Sequence, residues 1–356
     1  MVKDMDKRPD YHPLSEQAQA QARRRWDGVA KPLHSLGLLE DMITKIAGIQ
    51  QTADVRLDGR CALVFCADHG VVAEGVSQTG SEVTTLVARS IAEGTANINL
   101  IARAAAIDVF AVDMGMIADV ECEGIIARKQ ARGTDNMVKG PAMSRAQAEQ
   151  AVQYGVELVG EMKRRGYRIF VTGEMGIGNT TAASAVACAL LGAPVETLVG
   201  RGAGLSDAGL ARKRRAVQRA LEVNRPDADD PMDVLAKVGG YELAGMMGAF
   251  LGGMLHRVPV VIDGAISAVS ALLAARMRPG AEDYMLASHI SREPAAELVL
   301  NALGLKPVIC ADLALGEGTG AAMLLPMLEM ALNVYRGTHT FSDLGMKAYT
   351  PQEGKP

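Results

Sequence analysis

The chain has 356 residues, a formal net charge of −4, and 49% apolar residues. Such a length supports one large α/β domain with an accessory part, or two domains, and the apolar content excludes wholesale disorder. No basic stretch is interleaved with aromatics, which argues against nucleic acid as a partner.

Aromatics are scarce at 4%, while Gly (38) and Met (19) are plentiful. Small residues let helices lie close to a sheet, and Met fills irregular gaps. Five cysteines, at 61, 66, 122, 188 and 310, stand at no ligand spacing. They predict free thiols in a reducing compartment, with neither a disulfide frame nor a metal site. The first 17 residues are polar and charged, unlike a secretory signal. The long uncharged run between Glu174 and Glu196 is too polar for a membrane span. A cytoplasmic protein without a membrane association, a metal or a cofactor is the expectation.

In chain order, residues 1–17 read as a mobile lead-in and 18–55 as helices broken near Pro32 and Gly37. Leu36, Leu39, Ile43 and Ile46 give one apolar helical face. From residue 61 a theme repeats: a short apolar run ends in or near an acid, and glycine follows. The runs are 61–68 (CALVFCAD), 108–113 (DVFAVD), 168–173 (RIFVTG), 258–263 (VPVVID) and 307–312 (PVICAD). Continuous apolar runs of this length suit strands buried on both faces. Between them lie helical stretches at 83–105, 144–165, 179–191, 207–223, 240–256 and 265–277, with another at 319–335. The alternation predicts an α/β fold with a doubly wound, mostly parallel, Rossmann-like sheet. The large α/β domain is placed at 59–320. A small helical domain is drawn from both chain ends, 18–58 plus 321–345, and 346–356 reads as a polar tail. In such sheets ligands bind beyond the carboxyl ends of the strands, where this sequence puts its acids and glycines.

Three glycine-rich loops carry candidate chemistry. Residues 173–181 (GEMGIGNTT) follow a strand and open a helix. Free N–H groups and the helix dipole at such a start favour a phosphate, and Gly176 and Gly178 let the backbone come close. No Lys-Ser/Thr pair follows, and the glycine order does not match a dinucleotide fingerprint. Residues 200–204 (GRGAG) form a second loop before a helix that Ser206 or Asp207 could cap. Lys213, two turns on, reads by default as exposed, as does the basic run 212–215. Residues 315–320 (LGEGTG) set Glu317 among glycines beyond the last strand. A carboxylate there has no packing purpose and suits a general base. Asp68-His69 and Ser288-His289 read as loop-fixing pairs, with no third ligand for a metal. The apolar face at 240–256 could be either an interface or a buried helix.

Taken together and in order, these pieces resemble the nicotinate-nucleotide:dimethylbenzimidazole phosphoribosyltransferase family. The likeness starts at 25–27 (RWD) and 31–40. It runs through 67–75 (ADHGVVAEG), 112–115 (VDMG), 140–143 (GPAM), 173–181, 200–202 and Asp263-Gly264, and ends with 288–294 (SHISREP) and 316–320. The resemblance implies a homodimer that takes nicotinate mononucleotide as donor and an aromatic base as acceptor. It implies Glu317 as general base and Glu174 beside the ribose or nicotinate, with inversion at C1′. Phosphate and nucleotide contacts are expected at Gly176, Gly178, Asn179, Thr180, Gly202, Gly204, Lys213, Asp263, Ser291 and Gly316. The acceptor base is expected near Thr79, Ser81 and Leu315.

The sequence departs from the family pattern in the loop 76–84, at His34 where Gly is usual, and at Ala295-Ala296 where Gly-His is usual. The leading expectation is transfer to 5,6-dimethylbenzimidazole or a close analogue, giving α-ribazole 5′-phosphate, and the alternative acceptors are adenine, another purine, another benzimidazole or a phenolic ring. A nucleotide-binding regulator without catalysis is a further reading, although binding alone would not require both Glu174 and Glu317. A nicotinamide-dependent dehydrogenase is disfavoured by the missing fingerprint.

Overall fold

The structure, a computed structural model, describes residues 12–120 and 122–350. Six strands build one sheet: β1 (Arg60–Ala67), β2 (Ile107–Gly115), β3 (Ile125–Ala127), β4 (Ile169–Met175), β5 (Val260–Ile262) and β6 (Met285–Ala287). Their order is β3-β2-β1-β4-β5-β6 and every pairing is parallel. The chain winds outward from β1 to β3, returns to the middle, and winds out the other way from β4. The direction thus reverses between β1 and β4, and sheets of this kind bind ligands beyond the carboxyl ends of their strands.

The helices are α1 (Glu16–Gly28), α2 (Leu38–Gln50), α3 (Glu82–Ala92), α4 (Asn97–Ala104), α5 (Arg145–Arg164), α6 (Asn179–Leu191), α7 (Val195–Leu198), α8 (Asp207–Asn224), α9 (Pro231–Val238), α10 (Tyr241–His256), α11 (Ala265–Met277), α12 (Ala295–Ala302) and α13 (Thr319–Gly337). They cover both faces of the sheet, so β1 shows how the layers are fixed. Its side chains alternate: Leu63 and Phe65 enter a core with α5, α6, α10 and α11, whereas Ala62, Val64 and Cys66 enter a second core on the other face. That second core also takes Trp26, Ile43 and Ile46 from the N-terminal helices and Leu324, Leu328 and Tyr335 from α13. The chain ends meet there, with Trp26 and Tyr335 ring centroids 4.8 Å apart and Arg25 Nε donating to the Tyr335 carbonyl at 3.1 Å. Each fully buried Leu, Ile or Phe contributes about 1.5–3 kcal/mol.

The segment 240–256 is a buried helix and not a surface. Apart from its last two residues, α10 is buried throughout, and it crosses α5 closely enough that a Cβ at Gly155 would lie 2.1 Å from the Gly245 carbonyl oxygen. Glycine is required at that crossing because backbone faces backbone.

Several expectations need correction. Residues 307–312 form no strand; only Ile309 bridges, to His289. Pro307 lacks the N–H a ladder needs, and the sixth strand is instead the three-residue β6. The strand β3 and the short helices α7, α9 and α12 add elements the apolar pattern did not mark. The stretch 83–105 divides into α3 and α4 around Gly94, whose φ is +79°. Of the lead-in, residues 1–11 lie outside the described residues, and Glu16 and Gln17 already belong to α1, capped by Ser15 Oγ, which accepts from the Ala18 N–H at 3.2 Å. Of the tail, residues 351–356 lie outside the described residues, and Tyr349 packs on Phe341 with centroids 4.9 Å apart. His34 stands at φ +56°, in the left-handed region that suits glycine.

Candidate functional site

A cleft of about 220 Å³ opens beyond the carboxyl ends of β4, β5 and β6, beside the switch point. Its floor is the turn from β4 to α6. A Cβ at Gly176 would lie 2.3 Å from the Ala67 carbonyl oxygen, so the turn can hug the end of β1 only with glycine there. Gly178, at φ +100°, is the N-cap residue of α6 and supplies no side-chain cap. The Asn179 and Thr181 N–H groups donate back to the Gly176 and Gly178 carbonyls at 3.1 and 2.9 Å, and the start of α6 turns the positive end of its dipole toward the cleft.

Two buried carboxylates flank this floor. Glu174, at the end of β4, accepts from Asn179 Nδ2. Burial pushes its pKa up to about 8, helped by the charges of Asp263, Glu242 and Glu317. Glu317 lies between Gly316 and Gly318, and all three are left-handed, at φ +86°, +61° and +88°. For a glutamate that backbone costs about 1 kcal/mol or more, a strain characteristic of functional loops. Its Oε1 accepts from Asn97 Nδ2 at 3.2 Å and its Oε2 from the Ile98 N–H at 3.0 Å, at the start of α4.

Asp263, beyond β5, holds the Glu317 loop. It accepts from the Gly318 N–H at 3.2 Å and the Ala321 N–H at 2.9 Å. Burial raises its pKa to about 6 against the pull of those amides. Beneath the floor, His69 Nε2 and Glu242 Oε1 form a buried pair at 2.8 Å. Asp68 accepts from the Ile117 N–H at 2.8 Å, and His289 Nδ1 lies 3.0 Å from Ser288 Oγ. Both pairs thus fix loops. Among the described residues no group of three or more His, Cys, Asp and Glu side chains could hold a metal ion.

The cleft brings together Glu174, Gly176, Asn179, Thr180, Gly202, Asp263, Ser291, Leu315, Gly316 and Glu317. Five other candidates do not line it. Gly178 sits one layer back, against His69. Lys213 is not exposed but fully buried, behind Thr180, and donates to its Oγ1 at 2.8 Å. Burial lowers its pKa to about 8, opposed by the charge of Glu293. Gly204 faces away and is latched by Gln78 Nε2, which donates to its carbonyl at 2.7 Å. Thr79 is exposed and Ser81 half-buried, both outside the cleft wall. Sequence reasoning missed Glu293, His289 and Met175 on the wall and Asn97 behind Glu317. Glu293 stood in a quoted motif but, as a single loop acid, gave no signal of its own.

The raised pKa of Glu174 has a consequence for stability. A carboxyl whose folded pKa exceeds its unfolded value binds its proton more tightly in the folded state. Stability therefore falls as pH rises from the unfolded value through the folded one. For Glu174 that window runs from 4.5 to about 8. His256 and His289, held below 6.5 by burial, act in the opposite sense in its lower part. The melting temperature is thus expected to fall between about pH 6.5 and pH 8, and Glu174→Gln to flatten that fall. An equal fall in the variant would contradict the assignment.

A fully parallel sheet in this order, with a glycine-floored cleft beyond the ends of its strands, places the chain among the doubly wound α/β proteins that bind ligands there. A family model described as phosphoribosyltransferase matches residues 11–346. A nicotinate-nucleotide–dimethylbenzimidazole phosphoribosyltransferase of Acetivibrio thermocellus is 46% identical over 330 residues, 93% of this chain and 94% of the relative. One of the same name from Desulforudis audaxviator is 46% identical over 335 residues, 94% and 95% of the two chains. The crystal structure of CobT from Thermus thermophilus matches with a TM-score of 0.89 at 42% identity, over 94% of this chain and 100% of that one. The chain belongs to the nicotinate-nucleotide:dimethylbenzimidazole phosphoribosyltransferase family and is a pentosyltransferase. No helix among the described residues is long and apolar enough to cross a membrane.

Proposed function

We propose that this enzyme moves 5-phosphoribose from nicotinate mononucleotide to 5,6-dimethylbenzimidazole, giving α-ribazole 5′-phosphate and nicotinate. The observation that carries the reading is the pair of buried carboxylates, Glu174 and Glu317, flanking a cleft whose floor is an uncapped helix start. The helix start suits a phosphate. The carboxylates suit a sugar that becomes cationic at C1′, and the donor's pyridinium as well.

In this reading the donor phosphate rests near Gly176, Asn179, Thr180, Gly202 and Ser291. The acceptor lies by Leu315. One ring nitrogen of the benzimidazole attacks C1′ while the bond from C1′ to the nicotinate nitrogen breaks, its electron pair going to that nitrogen. Glu317 takes the proton from the other ring nitrogen and passes it to solvent. Attack opposite the leaving group inverts the anomeric carbon. A pyridinium leaves as a neutral ring, so the leaving group needs no acid, and Glu174, its proton given up to solvent beside the cationic donor, stabilises charge at the ribose. Lys213 acts through Thr180, holding its hydroxyl toward the phosphate.

The homodimer, the helical domain from 18–58 plus 321–345, and a cytoplasmic location belong to the same proposal. The helical domain draws support from the shared core of α1, α2 and α13. A panel of bases tests the acceptor. With nicotinate mononucleotide present, nicotinate release is expected with benzimidazoles and little with adenine or phenols. Release with purines or phenols alone would overturn the acceptor and keep the chemistry. Nucleotide binding without release would favour a regulator.

A further inference from the structure

The wall of the cleft near Gly202 already holds an anion. Lys213 is fully buried, and its ammonium has Thr180 Oγ1 as a partner. The Gly202 N–H, on the neighbouring loop, donates to Glu293 Oε1 at 3.0 Å. The glycine loop makes this approach possible. A Cβ at Gly202 would stand 2.8 Å from Thr180 Oγ1 and 3.4 Å from Lys213 Nζ, and one at Gly200 would stand 2.3 Å from Glu293 Oε2. Glu293 also lines the cleft, together with Thr180 and Gly202.

A loop N–H, a hydroxyl and a desolvated ammonium are the donors that recognise an oxyanion. A buried ammonium is costly without a nearby negative charge, and Glu293 provides one: its charge raises the Lys213 pKa against the effect of burial. Glu293 is not part of the glycine loop. It comes from the segment between β6 and α12 and is only half-buried, so a side-chain rotation would free the seat. Two anions held a few ångströms apart at low dielectric repel strongly. Carboxylate and phosphate therefore exclude one another there.

We propose that Glu293 is an internal stand-in for phosphate. In the free protein its carboxylate takes the Gly202 N–H beside Thr180, with Lys213 behind, and the phosphate of the nucleotide displaces it. Glu293 thereby sets the affinity for the phosphorylated donor by competition. The proposal rests on the reading of this cleft as the phosphate site.

Calorimetric titration with inorganic phosphate tests it directly, on the wild type, Glu293→Gln and Glu293→Ala, with melting temperatures alongside. Gln keeps an acceptor for the Gly202 N–H and removes only the charge, so it separates competition from loop support. Removing one competing charged hydrogen bond is expected to tighten phosphate binding roughly tenfold in both variants. The KM for nicotinate mononucleotide should fall with it while kcat does not rise. Phosphate binding that is weaker or unchanged in folded Glu293→Gln would overturn the proposal and make Glu293 a clamp on the loop. Absence of phosphate binding in all three proteins would overturn it too. The two readings fail separately. Tighter phosphate binding without any nicotinate release sinks the transferase reading alone, whereas nicotinate release with KM unchanged or raised sinks this one alone.

Discussion

Glu317→Gln is expected to lower kcat by roughly 10²- to 10⁴-fold, the usual weight of a positioned general base, with the nucleotide KM and the melting temperature nearly unchanged. The fold tolerates the change for a specific reason. The Ile98 N–H can still donate to the amide oxygen of a glutamine at 317. The Asn97 side chain, which donates to Glu317 Oε1, can rotate so that its own oxygen accepts from the new amide. The glutamine thus keeps its place and loses only the capacity to take a proton. Steady-state kinetics at saturating acceptor check this. A kcat within a fewfold of wild type would remove Glu317 from the role of base and turn attention to Glu174.

Asp263→Ala is expected to act on stability and activity together. It strips the acceptor from the Gly318 and Ala321 N–H groups, both buried at the start of α13. Each orphaned amide costs about 1–3 kcal/mol. Relief from burying a carboxyl with a raised pKa offsets part of that, so a net loss of about 2–4 kcal/mol is expected by denaturant unfolding. The same two amides belong to the loop that holds Glu317 in its left-handed conformation, so kcat should fall as well. Asp263→Asn keeps one acceptor and should fall between wild type and Ala. If Asp263→Ala retained full stability but lost nucleotide binding, Asp263 would be a ligand contact and not a brace. That contrast separates it from Glu317→Gln, which should change rate alone.

How much of this was legible in the sequence depends on how local the signal was. The doubly wound sheet could be read because β1, β2 and β4 are long apolar runs, buried on both faces, with acid and glycine at their ends. Helix α6 begins at Asn179 and α11 at Ala265, where glycine and small residues mark the starts. The loops at 173–181 and 315–320 could be read as a site because a carboxylate set among glycines beyond a strand end serves no packing purpose. Signals failed where the decisive partner was distant in the chain. The sequence run 212–215 looks like a solvated charge cluster, and only the packing of α8 on α6 shows that Lys213 is enclosed. Asn97 meets Glu317 from 220 positions away. Residues 307–312 carry strand-like apolar residues but lie beyond β6, with Pro307 at their head, and make a single bridge. The acceptor contacts at Thr79 and Ser81 came from likeness to relatives in a segment where the sequence departs from them. Here Gln78 fastens that segment to the carbonyls of Ala203 and Gly204, while Thr79 and Ser81 stay outside the cleft wall.

The proposed reaction transfers phosphoribose with inversion at C1′. The most direct measurement incubates the purified protein with nicotinate mononucleotide and 5,6-dimethylbenzimidazole, without added metal, and reads products by chromatography and proton NMR. One nicotinate is expected for each new nucleotide, with the α configuration at C1′. A product of β configuration, or nucleotide binding with no nicotinate released for any base, would contradict it.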